Sequence, residues 1–323
     1  MKRIFTILAA LLSCANFQAY SNTLCQNLQP NSTAGNLEKF VYKTYRSEKG
    51  KEKQLSIGLV RPVDNLPSKK RPLIIGVHGG GFVNFCPFEP CFVKFSENIL
   101  TENFTSKGYL TASVQYRLNS PLDFGPPMIK DEKLLEVQYK ATQDVRDAIK
   151  YIFANADRFG VDTENVFLIG RSSGAITVLN AAYLDDSEIP TGLSNRYGQL
   201  AKKENIKGVI SLSGAIYDLA YLAGKDKVPM LIIHGREDSI VPANKGFYLG
   251  MKHLTPVYGG KAIFDEAEKR GIKAQGFFYD FGHDFPSRFV SDIYKNANQF
   301  ISSNLTCQEK KSSEKSFINL LSH

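Results

Sequence analysis

No stretch of this 323-residue chain restricts its fold more than Asn165-Val166-Phe167-Leu168-Ile169-Gly170-Arg171-Ser172-Ser173-Gly174-Ala175. A short run of apolar, β-forming residues meets a Gly-Arg-Ser-Ser-Gly turn, and the helix-compatible residues Ala175 to Leu184 follow at once. A strand that passes through so tight a turn into a helix projects the middle residue, Ser172, with its Oγ exposed. Positions two before and two after that serine are best without a Cβ, and Gly170 and Gly174 meet the need. The helix starts directly behind the serine, so its free N–H groups and dipole face any negative charge that develops there. A bare G-x-S-x-G is a common turn; the strand and helix around it give it meaning.

The flanking sequence supplies the layers such a turn needs. Residues 40–45 and 55–60 roughly alternate apolar and polar around a polar stretch, which predicts an antiparallel pair at a sheet edge. Strands are predicted at Leu73 to Val77, Tyr109 to Leu118, Gly208 to Leu212, Met230 to Ile233 and Gln275 to Asp280. Between them, helices are predicted at 92–106, 131–157, a segment ending at Arg270, and 285–303. In the longest of these, Leu134, Val137, Ala141, Val145, Ala148 and Ile152 fall on one face. Continuous apolar strands alternating with helices predict the α/β class: one mostly parallel central sheet with helices on both faces. The loops 119–130, 186–206 and 242–260 are expected to border a site, with 186–206 as a flap over it.

The first 21 residues read as a signal peptide rather than as fold. Lys2-Arg3 precede the apolar run Ile4 to Leu12, which is too short to span a bilayer, and Ala19-Tyr20-Ser21 offers a cleavage site. Export as a periplasmic or secreted product is expected. A rival cut before Cys14 would instead give a lipid-anchored form. Residues 22–307 are then expected to form one folded domain and 308–323 a polar tail. Taking Lys2 and Arg3 off the net charge of +8 leaves +6, spread along the chain. That distribution predicts a solvated surface with at most weak attraction to anionic surfaces, and no nucleic-acid partner. Cleavage also leaves four cysteines, Cys25, Cys86, Cys91 and Cys307, an even number that suggests disulfides in an exported chain. Three pairings are open; Cys86 with Cys91 closes a small loop, and Cys25 with Cys307 would tie the ends of the domain. CxxC metal spacing is absent, which disfavours zinc. A serine-based reaction at Ser172 is expected to need neither metal nor organic cofactor.

Three loops at the predicted carboxyl ends of strands carry groups that would complete a reactive serine. In His78-Gly79-Gly80-Gly81-Phe82, consecutive glycines let backbone N–H groups approach a ligand, so Gly79 and Gly80, with Ser173, are candidate oxyanion donors. No Lys-Ser/Thr follows, which disfavours a phosphate loop, and His78 reads as a prop for the loop. In His234-Gly235-Arg236-Glu237-Asp238, Asp238 is the candidate acid; Glu237 beside it and Asp218 after the preceding strand are rivals. In Phe281-Gly282-His283-Asp284-Phe285, His283 is the candidate base. Arg171, Arg117, Tyr116, Phe82 and Phe85 are candidate pocket residues.

The order Ser172, Asp238, His283 resembles that of α/β-hydrolases and differs from the chymotrypsin and subtilisin orders. His78 to Phe82, Tyr116-Arg117-Leu118, Asn165 to Ala175 and His234 to Pro242 all resemble motifs of the carboxylesterase and lipase superfamily, over about residues 54–303. Asp144 to Phe159 with Gly160-Val161-Asp162 is similar to the stretch ahead of the turn in type-B carboxylesterases. Those enzymes usually place Glu-Ser-Ala between the two glycines, where this chain has Arg171-Ser172-Ser173. Its length is nearer that of single-domain exported feruloyl or acetyl-xylan esterases. The resemblance implies an α/β-hydrolase that cleaves a small-molecule or polymer-attached carboxylic ester through an acyl-enzyme. Two alternatives stand beside it: a prolyl-oligopeptidase-type peptidase, although no propeller-sized segment precedes residue 40, and a binding protein that keeps the fold without catalysis.

Overall fold

Apolar side chains at consecutive positions of a strand must be buried on both faces, and the central strands satisfy this by splitting their residues between two cores. The computed structural model describes residues 28, 32–63, 70–84, 86, 90–120 and 129–306. Eight strands form one sheet: β1 (Glu38–Arg46), β2 (Glu52–Val60), β3 (Arg71–Val77), β4 (Leu110–Val114), β5 (Val161–Arg171), β6 (Gly208–Leu212), β7 (Met230–Gly235) and β8 (Ala274–Tyr279). Their spatial order is β1-β2-β4-β3-β5-β6-β7-β8. The pairs β1–β2 and β2–β4 are antiparallel; every pairing from β4 to β8 is parallel. The alternating segments 40–45 and 55–60 thus form the expected edge pair.

Register sends odd and even residues to opposite sides. Leu73 pairs with Val166 and Ile75 with Leu168, and all four join one core. Ile74 pairs with Phe167, and both join the other. The first core is covered by α1 (Asp131–Ala154), α2 (Ser173–Tyr183) and α3 (Gly260–Lys269). The second is covered by α4 (Ser287–Asn304) and by the helical segment from Cys91, which runs as an α-turn to Phe95 and a π-turn over Ser96–Thr101. Each fully buried Leu, Ile or Phe in such layers contributes about 1.5–3 kcal/mol. The six predicted apolar residues of α1 are all buried.

Two expectations need correction. The segment 186–206 is not a flap over the serine. It follows the far end of α2, whose N-terminus holds the serine, and it carries a short helix, Thr191–Tyr197. Leu184, Ile189 and Leu200 bury themselves against Tyr139 of α1, whose hydroxyl donates to Gly198 O at 2.6 Å. Those apolar side chains draw the segment down onto the helix. The strand predicted to Leu118 stops at Val114. Arg117 then leaves the sheet because its N–H and its Nε both bond Asp144 Oδ2, at 2.9 and 2.8 Å. Within 242–260, Lys245–Gly246 and Val257–Gly259 join Ala215–Ile216 in a small antiparallel sheet. No described helix is long and apolar enough to cross a membrane. Residues 1–21, Cys14, Cys25, Phe85, Cys307 and 308–323 lie outside the described residues, and so does most of the 119–130 loop.

Candidate active site

The turn between β5 and α2 has the shape its glycines imply. Ser172 adopts φ 54° and ψ −122°, a conformation that costs a non-glycine residue about 1–3 kcal/mol. Its N–H donates to Leu212 O at 2.8 Å, which fixes it against the end of β6. A Cβ at Gly174 would sit 2.1 Å from Val77 O, and one at Gly170 would sit 2.3 Å from Gly174 O. Backbone packs on backbone here, so no side chain fits at either position.

The three residues expected to act together lie within hydrogen-bond reach. His283 Nε2 is 2.8 Å from Ser172 Oγ, and His283 Nδ1 is 2.8 Å from Asp238 Oδ2. A carboxylate oxygen only accepts, so Nδ1 carries the proton and Nε2 is free to accept from the serine. Asp238 Oδ1 accepts from the Ile240 and Val241 amides at 2.9 and 2.8 Å. Burial alone would raise the Asp238 pKa. Donation from His234, His283 and the Val241 amide outweighs it and holds the carboxyl well below the ordinary carboxylate range. The acid and base loops are joined by backbone bonds, Arg236 N–H to Tyr279 O at 2.8 Å and Glu237 N–H to Phe281 O at 3.1 Å. The rival carboxylates are elsewhere: Glu237 is exposed, and Asp218 is an exposed helix cap that accepts from Ala220 N–H at 2.8 Å.

The glycine loop follows β3 and lies against the serine turn. A Cβ at Gly79 would stand 2.9 Å from Arg171 O and 3.3 Å from Ser172 Cβ. Gly80, Gly81 and Phe82 all have positive φ, at 112°, 61° and 63°. Ser173 is the first residue of α2, where an N–H has no intrahelical acceptor. Beneath the loop, Tyr116 donates its hydroxyl proton to His78 O at 2.9 Å and stacks on the His78 ring at 4.6 Å. Tyr116 and Phe82 are therefore buried supports rather than open pocket walls. Arg171 does face outward, with Nη2 2.6 Å from Asp284 Oδ1 and its guanidinium 5.2 Å over the Phe285 ring. It straps the serine turn to the His283 loop, although so exposed a pair contributes at most about 1 kcal/mol. The Cys86 and Cys91 sulfurs are 2.09 Å apart, at bonding distance. No cluster of three metal-ligating side chains occurs among the described residues.

His78 makes the stability of this corner depend on pH. Burial, only partly offset by its bond to Gly79 O, lowers its pKa from 6.5 to about 4. Between those values the unfolded chain binds the proton and the folded chain does not. Stability is therefore highest above pH 6.5, falls as pH drops toward 4, and levels off below. The whole effect is roughly 3 kcal/mol, with about 2 kcal/mol already lost at pH 5. Urea unfolding at pH 7 and pH 5 should show that loss in the parent and a smaller one in His78→Asn. Equal losses in both proteins would rule the assignment out.

Sequence reasoning missed one residue of the cluster. His234, at the end of the apolar strand β7, is 0% exposed, and its Nε2 lies 3.2 Å from Asp238 Oδ2. The available signal was a polar residue closing an otherwise apolar strand four positions before the acid.

Comparison with known proteins places the fold. The BD-FAE family model matches residues 63–227, just over half the chain. A segment of 176 residues, 52% of the chain, is 31% identical to probable carboxylesterase 4, mitochondrial, of Arabidopsis thaliana and covers 37% of that protein. The chain spans about two fifths of the length of the first curated relatives it matches. The structure of Thermogutta terrifontis esterase 2 phosphorylated by paraoxon superposes with a TM-score of 0.58 at 17% identity, covering 85% of this chain and 96% of that one. The propionate-bound form of that esterase gives 0.56 at 17% identity, with coverage of 85% and 96%. These likenesses establish an α/β-hydrolase fold, a mostly parallel sheet covered on both faces.

Proposed function

The chain belongs to the BD-FAE family, and from that premise we propose that it is a serine carboxylic-ester hydrolase. One observation carries the reading: the continuous hydrogen-bond line from Ser172 Oγ through His283 to Asp238, at 2.8 Å for each link. Ser172 Oγ attacks the ester carbonyl as its proton passes to His283 Nε2. Asp238 keeps the imidazole in the required tautomer and stabilises its charge. The carbonyl oxygen, now an anion, accepts from the N–H groups of Gly79, Gly80 and Ser173. Collapse breaks the bond to the alcohol, which leaves with the proton from His283, and an acyl-Ser172 ester remains. Water then gives a proton to His283 and attacks that ester; the acid departs and Ser172 regains its hydrogen.

Short acyl groups are the proposed substrate class, on a small alcohol or on a polymer. A fold shared with a propionate-bound esterase supports a small acyl pocket. A p-nitrophenyl series from acetate to octanoate should give its highest kcat/KM at two to four carbons. A maximum at octanoate would overturn the acyl assignment, and no turnover of any member would overturn the esterase reading. The peptidase alternative has no observation in its favour.

Export completes the proposal. An oxidising compartment would preserve a Cys86–Cys91 bond, whose partners stand with Cα atoms 5.4 Å apart. Mass mapping of the exported protein without reductant should find Asn22 as the first residue and that bridge intact. Free thiols at both positions, or an uncut Met1, would count against export.

A further inference from the structure

His234 is fully buried and has each ring nitrogen committed. Its Nδ1 accepts the Gly260 N–H, at the start of α3, at 3.2 Å. A nitrogen that accepts carries no proton, so the ring proton is on Nε2. That N–H lies 2.9 Å from Val241 O and 3.2 Å from Asp238 Oδ2. Oδ2 is also the oxygen that receives His283 Nδ1–H, at 2.8 Å, while Oδ1 takes two backbone amides. The carboxylate is thereby held by two amides on one oxygen and by His283 on the other, with the His234 N–H, whose nearer acceptor is Val241 O, as a second neighbour of that oxygen at 3.2 Å.

Resting on the serine-hydrolase reading above, we propose that His234 is a positioning residue for the acid. Its fixed Nε2–H aims Oδ2 at His283 and draws off part of the carboxylate charge. In a buried setting such a bond is stronger than in water, and so is the penalty for losing it. Without the donor, Oδ2 is freer to rotate and meets His283 with more of its charge. The imidazolium becomes more stable, so His283 becomes harder to deprotonate. The titratable groups facing this cluster are His234 from β7, Asp238 from the next loop and His283 from the loop after β8. Two ion pairs flank these loops: Arg171, at the end of β5, with Asp284 at 2.6 Å, and Arg236 with Asp280 at 2.7 Å.

Two substitutions separate the two ring nitrogens. His234→Asn places an oxygen where Nδ1 stood, keeping an acceptor for Gly260 N–H, but removes the N–H that Val241 O and Asp238 Oδ2 share. His234→Gln keeps a donor near Nε2 and gives up the Gly260 contact. With p-nitrophenyl acetate, the Asn variant should lose about ten-fold in kcat, about 1.4 kcal/mol, with KM within two-fold. The acid limb of its kcat/KM profile should move up by about half a pH unit. The Gln variant should stay within three-fold of the parent, with its acid limb unmoved. The downfield proton-NMR signal of His283 Nδ1–H, which needs no substrate, should move in Asn and not in Gln. Were the parent to hydrolyse no ester, the hydrolase reading would fall, while this signal would still decide the role of His234. The proposal is overturned by parent-like behaviour in Asn, by equal losses in both variants, or by an Asn variant that does not fold while Gln does. Each of those outcomes makes His234 part of the framework alone.

Discussion

Ser172→Ala should leave p-nitrophenyl acetate turnover at the rate of buffer, a loss of about 10⁶-fold in kcat. The size follows from what the hydroxyl does. It is the bond-forming atom, and the oxyanion donors and His283 act only once an oxygen stands there. About 8 kcal/mol of barrier lowering goes with it. Stability should hardly change, because Ser172 Oγ bonds His283 Nε2, while the turn is held by Ser172 N–H to Leu212 O and by the backbone packing of Gly170 and Gly174. The thermal midpoint should stay within about 2 °C of the parent, a ΔΔG under about 1 kcal/mol. Turnover of even one per cent, in a preparation free of parent enzyme, would mean that another group attacks the ester.

Asp238→Asn should cost about 10³- to 10⁴-fold in kcat with little change in KM. Two backbone amides, from Ile240 and Val241, point at one side of the group and require an oxygen there. The new NH₂ must then take the place of Oδ2, facing the N–H of His234 and of His283. Donor meets donor, and His283 resolves the conflict by moving its proton to Nε2. In that tautomer it has no lone pair for the Ser172 hydrogen, so general-base catalysis stops while the binding surface remains. Stability should also drop, by about 1–3 kcal/mol, since a buried acceptor of several bonds has been lost. A kcat within ten-fold of the parent would remove Asp238 from the reaction and return attention to Glu237 or Asp218.

The chain reveals its framework more readily than the details of its site. Alternating burial along Leu73–Val77 and Val166–Ile169 is visible as unbroken apolar runs, because a strand covered on both faces leaves no polar position. Ser172 is visible because two close backbone approaches demand glycine on either side of it. Choosing among Glu237, Asp238 and Asp218 is harder. All three are loop carboxylates, and what separates them is the direction in which a turn holds each side chain, which no local pattern states. The place of Asp238 after the strand favours it in the sequence, and the structure adds the physical reason: the Ile240 and Val241 amides grip one oxygen while His283 reaches the other. His234 was overlooked for a related reason. A histidine beside a glycine at a strand end resembles a loop start, and its role depends on α3 bringing Gly260 to its Nδ1. The 186–206 segment misled because its polar composition hides Ile189 and Leu200, which dock with the preceding Leu184 on Tyr139.

The central claim, that Ser172 is an activated nucleophile, is tested most directly by a fluorophosphonate probe followed by mass spectrometric mapping. The parent should take up one probe per chain, on the peptide that contains Ser172. His283→Ala should label far more slowly and Ser172→Ala not at all. A folded parent that stays unlabelled, or carries the probe on another residue, would contradict the account.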